Sequence, residues 1–290
     1  EGFDSPFANV VSITFSAFDD FPVIRENRNA LKGVRYTNVG LRKPEKGIDE
    51  DGDKEWRSVT QEPNDLAADF INSAKVCVSG DRSERWLRAL ETLESDPIFE
   101  EAEIAGLLEF KGRRFSREAG RLFRLLSSGH KIVLLTITKL VEKVEERTLV
   151  LMDEPEAHLH PPLLSALVRA LSDLLINRNG VAIVATHSPV ILQEVPRSCV
   201  WKIRRHGGCT QADRPRTETF AKNIGQLTHE VFGLEVTRSG FHKMLADAIE
   251  PDDDFDDVIE KFDQEVGTEG RALISSLIAI RDEGVYEDDE

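Results

Sequence analysis

Between Thr148 and Thr186 the chain passes through an apolar segment, TLVLM, a leucine-rich stretch, PLLSALVRALSDLLINRNG, and a second apolar segment, VAIVAT. This pattern constrains the fold more than any other feature. TLVLM (148–152) and VAIVAT (181–186) lack the polar alternation of a half-exposed strand. Each is therefore predicted to be covered on both faces, as strands of a parallel sheet are. Between them Leu163, Leu164, Leu167, Val168, Leu171, Leu174 and Leu175 recur at helical spacing. Pro161 and Pro162 stand where a helix start tolerates proline, and Asn179-Gly180 closes the helix. A strand, a helix and a strand in so short a span make a βαβ unit, hence an α/β fold with a buried, mostly parallel sheet.

The other segments are read around that unit. Val10, Val11, Ile13 and Phe15 predict a buried strand followed by a turn over 9–21. Residues from about 40 to 65 are charged and carry Gly and Pro, which predicts a loop or insertion. From 65 to 125 the pattern is mainly helical, with Trp86, Leu87, Leu90 and Leu93 as core positions, and 131–144 is a further helix. Three regions follow: 1–125 with a loop and a helical insertion, 126–210 as the core of the site, and an acidic helical segment over 220–290.

Charge and cysteine usage narrow the function. A net charge of −16 over 290 residues excludes a protein whose whole surface rests on nucleic acid. The acid is concentrated in IDEDGDKE (48–55), EPDDDFDDVIE (250–260) and YEDDE (286–290). Against it stands KGRRFSREAGRLFR (111–124), with six basic residues and one glutamate, which reads either as a solvated helix face or as a contact for DNA or RNA. Cys77, Cys199 and Cys209 have no metal-binding spacing, and a reducing cytoplasm fits them. No run is long enough for a membrane span. The sequence opens on Glu1 with no signal-peptide pattern, and it is expected to begin inside a longer gene product.

Four clusters carry chemistry. Asp153 and Glu154 end the first parallel strand, where open α/β sheets hold their ligands. A carboxylate there can hold hydrated Mg²⁺, and the next can orient or deprotonate a water. His187 follows the second strand at the same sheet edge, where an imidazole can reach a phosphate. Ser127, Ser128 and Gly129 precede a predicted helix, whose first N–H groups and positive end attract anions, with Lys131 close by. Ser127 or Ser128 also suits a plain helix cap. His158 and His160 flank Leu159 without a third metal ligand placed by the sequence.

LSSGHK, LVLMDEP, EAHLHP and ATHSP, in this order, resemble the signature, Walker B, D-loop and H-loop of ABC-type ATPases, closest to the RecF-, SMC- and OLD-like group. The resemblance implies a P-loop NTPase core that binds ATP and Mg²⁺. It implies that Asp153 assists the metal, Glu154 is the catalytic base and His187 the switch histidine. Ser128 and Gly129 would contact ATP held by a partner subunit, with Ser127 also at the nucleotide, in a head-to-tail homodimer or higher homo-oligomer. The signature departs from L-S-G-G-Q, with Ser128 for its first glycine and His130 for its glutamine. No G-x-x-x-x-G-K-[ST] occurs in the chain, so that loop is expected upstream of Glu1. Ser16, Asp19 and Asp20 are the candidates for the metal-sensing loop. Residues 220–245 resemble part of the Septu and retron-associated anti-phage ATPases, which implies an HNH-type nuclease partner. The alternatives are an OLD-like ATP-dependent nuclease, an SMC/RecF-like DNA-repair ATPase, and a scaffold that binds ATP without turnover.

Overall fold

Apolar strands that cannot be left in water form the centre of the molecule, and their order brings the functional ends together. The computed structural model describes residues 6–14, 34–48, 54–232 and 240–287. Strands β1 (Asn9–Thr14) and β2 (Arg35–Gly40) are followed by β3 (Arg42–Ile48) and β4 (Lys54–Thr60), then by β5 (Thr148–Asp153) and β6 (Val181–Ala185). The central sheet has the order β2-β1-β5-β6, and all its neighbours are parallel. Gly40, Thr14, Asp153 and Ala185 stand in one row across its carboxyl edge. A Cβ on Gly40 would lie 2.1 Å from the Thr14 carbonyl oxygen, so only glycine fits that end of β2.

Helices α1 (Pro63–Cys77), α2 (Asp81–Leu93), α3 (Pro97–Glu101), α4 (Gly112–Leu125), α5 (Ser128–Lys143), α6 (Pro161–Ile176) and α7 (Pro189–Gln193) complete this part. α5 is apolar around most of its circumference, and Ile132, Val133, Leu134, Leu135 and Ile137 are all buried. A helix of that kind has to be enclosed, and α1, α2 and α6 pack against it. The Trp86 indole N–H donates to Thr138 Oγ1 at 3.1 Å, giving a large core side chain its one polar partner.

The α/β sheet and its βαβ unit match the sequence reading. Two details differ from it. Residues 40–65 are not a plain loop, because β3 and β4 pair as an antiparallel hairpin. Their sequences, RKPEKGI and KEWRSVT, have no apolar alternation, so the usual strand signal is absent. β6 is apolar throughout, yet Val181 is 45% and Ile183 59% exposed, and among the described residues it is the outer strand of the sheet. The candidate loop residues Ser16, Asp19 and Asp20 lie outside the described residues.

The chain divides into two units, Glu1–Glu194 and Val195–Glu290. In the second, β7 (Lys202–His206) and β8 (Cys209–Asp213) form a hairpin. Helices α8 (Ile224–Phe232), α9 (Gly240–Asp247), α10 (Phe255–Glu260) and α11 (Thr268–Glu287) follow, with a small core of Leu245, Val258, Ile259 and Ile274. The acidic run has local structural uses. Asp254 and Asp257 form a capping box at the start of α10, and Asp253 meets Lys261 at 2.6 Å. Among the described residues no helix is long and apolar enough to cross a membrane.

The three cysteines are free, with Cys77 buried and Cys199 and Cys209 exposed. Burial pushes the Cys77 thiol up to about 12, which leaves almost no thiolate at neutral pH. A colorimetric thiol reagent at pH 8 should therefore titrate two cysteines in the native chain and all three in denaturant. Rapid reaction of all three without denaturant would contradict this packing.

Candidate functional site

The turn after β5 is shaped by its backbone. The Glu154 N–H donates to the Ala185 carbonyl at 2.9 Å, extending the β5–β6 ladder by one residue. Glu154 then takes a positive φ of 43°, an uncommon conformation for a side-chain-bearing residue, and its carboxylate is left exposed. His158 also has a positive φ, of 69°. Between them the Ala157 N–H donates to the Glu154 carbonyl and the Leu159 N–H to that of Glu156. The chain thus leaves the strand, coils tightly and enters α6 through His160, whose Nδ1 accepts from the Leu163 N–H at 3.4 Å.

Asp153, Glu154 and His187 come together at this edge. Asp153 ends β5 opposite Ala185. His187 Nδ1 lies 3.5 Å from Glu154 Oε1 and 3.3 Å from Glu156 Oε1. Two carboxylates facing Nδ1 favour the tautomer with its proton there, which leaves Nε2 as an acceptor. The His187 and Glu154 side chains are 65% and 58% exposed, so both are open to a ligand.

Glu156 is the residue that the sequence reading missed. Its side chain is only 11% exposed. One oxygen, Oε1, accepts from the Thr186 hydroxyl at 2.7 Å and from the His187 backbone N–H at 2.8 Å. The Ser188 N–H in turn donates to the Thr186 hydroxyl at 2.9 Å, and Ser188 caps α7. A single carboxylate therefore fixes the segment that carries His187. The acidic residue next to Asp-Glu-Pro was visible in the sequence, but its target lies thirty-one positions away.

Ser127, Ser128 and Gly129 are at the start of α5, as expected. Ser127 is the N-cap, its hydroxyl accepting from the His130 N–H, and both serines are exposed. Gly129 is buried, and a Cβ there would lie 2.7 Å from the His158 carbonyl oxygen. The close approach at this glycine is to the chain's own turn after β5. A larger residue would push the two segments apart before it met any other subunit.

His130 points inward and is 2% exposed. Its Nδ1 lies 2.6 Å from the Ser127 hydroxyl and its Nε2 3.0 Å from Asp96 Oδ1. Asp96 is equally buried; it caps α3 through the Ile98 and Phe99 N–H groups and faces His160 Nε2 at 3.5 Å. The ligand atoms of Asp96, His130 and His160 lie within 4.8 Å of one another, a donor set that suits Zn²⁺. Proton accounting favours a hydrogen-bonded chain instead. With His160 Nδ1 accepting from Leu163, the neutral ring carries its proton on Nε2, aimed at Asp96. Ser127, His130, Asp96 and His160 then form one continuous link from the start of α5 to the start of α6. A cavity of about 180 Å³ between α2 and α6, lined by Arg85, Arg88, Thr92, Asp173 and Asn177 among others, includes none of these residues.

Paired carboxylates and a histidine thus stand at adjacent strand ends of a parallel α/β sheet, the edge at which such sheets hold their ligands. The family model described as "AAA domain, putative AbiEii toxin, Type IV TA system" matches residues 116–193, from within α4 to the end of α7. The chain is also 40% identical over 296 residues to Protein ea59 of Escherichia phage lambda, covering 96% of this chain and 54% of that protein. It thus spans about half the length of that relative. The matched domain supports a P-loop ATPase of the RecF/SMC/OLD-type superfamily.

Removing the Glu156 carboxylate should release the His187 segment. Glu156→Ala is expected to lower the unfolding free energy by about 2 kcal/mol, as a lost pair of charge-assisted hydrogen bonds does. Glu156→Gln, which keeps an acceptor oxygen, should lose less. Urea denaturation would show the difference, and an unchanged midpoint in Glu156→Ala would contradict the anchoring role.

Proposed function

We propose that the protein is an ABC-type ATPase that closes as a head-to-tail dimer around ATP and controls a partner nuclease or a DNA transaction in phage defence. The observation that carries this reading is the convergence of Glu154 and His187, 3.5 Å apart, beyond the ends of adjacent parallel strands, immediately after Asp153. Asp153 would hold Mg²⁺ through its water shell. Bound there, the metal supplies positive charge against the phosphates. Glu154 takes a proton from the attacking water, and its exposed carboxylate beside His187 suits that task. The imidazole positions the water and the terminal phosphate. Ser128, exposed in the first turn of α5, faces ATP on the other subunit, while the Ser127 hydroxyl caps the helix and is held by His130.

The carboxylates of this edge fit a hydrated cation, which in turn would meet a nucleotide phosphate, while the chain has no G-x-x-x-x-G-K-[ST] loop of its own. Among the described residues β6 is the outer strand, and its open edge leaves room for a further strand beside the His187 segment. The defence role draws support from the matching family, described with a toxin of a toxin–antitoxin system, and from a relative carried by a phage. An HNH-type nuclease remains the partner proposed from the resemblance of residues 220–245.

The role of Glu154 is tested in the complete gene product. Glu154→Gln keeps the shape and removes the base, so Mg-ATP binding should persist while phosphate release falls by about two orders of magnitude or more. Wild-type turnover in this variant would refute the assignment.

A further inference from the structure

The strongest feature outside the site is the surface of α4. Lys111, Arg113, Arg114, Arg117, Arg121 and Arg124 are all exposed, in a chain whose net charge is −16. At roughly 100° per residue the five arginines of the helix fall within an arc of about 100°, along roughly 16 Å of helix axis. The opposite face, with Phe115, Ala119, Leu122 and Phe123 buried, holds α4 in the core and fixes the direction of the arginines. One carboxylate interrupts the stripe. Glu118 lies 3.1 Å from Arg117 and 3.0 Å from Arg121. Those guanidinium groups hold its carboxyl below the usual range, so it stays ionised and the segment keeps five positive charges net. Arg114 lies over the Phe110 ring at 4.8 Å.

We infer that the arginine face of α4 binds the phosphate backbone of double-stranded DNA. Guanidinium groups are the side chains best matched to phosphate oxygens. A duplex presents about one charge per 1.7 Å of axis, so a stripe of this length faces several phosphates at once. The aromatic side chains of α4, Phe115 and Phe123, are buried, leaving no stacking platform on this helix for unpaired bases. With half its circumference in the core, α4 lies along the backbone instead of entering a groove, and the binding is independent of base sequence. The inference does not depend on ATP turnover, because the stripe is complete without nucleotide.

Fluorescence anisotropy of a labelled 20-base-pair DNA of arbitrary sequence, without nucleotide, tests it between 50 and 200 mM NaCl. The logarithm of the binding constant should fall with the logarithm of salt with a slope of about −4, or −0.9 for each phosphate neutralised. In Arg113→Ala/Arg117→Ala/Arg124→Ala the slope should become shallower by about 3, and binding at 100 mM NaCl about tenfold weaker or more. The corresponding triple lysine variant, which keeps the charge, should restore most of the slope, and all variants should melt like the wild type because these side chains are exposed. A wild-type slope shallower than −1, an unaltered slope in the alanine variant, tighter binding of a same-length RNA duplex, or equal binding of polyglutamate would each overturn the proposal. Loss of DNA binding with intact phosphate release would leave the ATPase reading standing, and the reverse result would leave this one.

Discussion

The parallel register of β5 and β6, with Asp153 opposite Ala185, is the constraint from which the site follows. That pairing makes both strands end at the same height, and the Glu154 N–H bond to Ala185 prolongs it by one residue. The chain then turns through a positive φ at Glu154, so a carboxylate emerges where the sheet stops. Glu156 reaches across to Thr186 and His187 and sets the second strand's exit. A one-residue slip in this ladder would turn Asp153 to the other face and separate Glu154 from His187. The apolar core around α5 and α6 gives that register its stability.

The start of α5 is tied to the same turn from the other side. The missing side chain of Gly129 lets α5 approach the His158 carbonyl, and the buried pair Asp96 and His130 links Ser127 to His160. The exposed serines are therefore held by the segment that carries the carboxylates. In the proposed dimer, each subunit would present a serine face and a carboxylate edge whose spacing is fixed within one chain. Pre-organisation of this kind is what phosphoryl transfer requires, since little covalent chemistry falls to the protein.

Much of this was legible in the sequence because the strands and α6 have unbroken apolar patterns. The N-cap at Ser127 and the helix start at Pro161 were readable for the same reason, as local signals. The hairpin of β3 and β4 was not, since its charged residues resemble a loop. The Asp-Pro at 96–97 signals a helix start, but the contact of Asp96 with His130 spans thirty-four positions, which no local pattern encodes. Glu156 escaped notice for the same reason. The unusual His130 of the signature segment acquired a meaning only once its burial against Asp96 and Phe99 was known.

The central claim is that two copies of the chain complete one hydrolytic site. The direct measurement is the rate of phosphate release from Mg-ATP by the complete gene product as a function of protein concentration. If the serines of one subunit serve the Asp153–Glu154–His187 edge of another, specific activity should rise with concentration and level off as dimers fill. Specific activity that is constant down to concentrations where sedimentation shows only monomers, or no release at any concentration, would contradict the account.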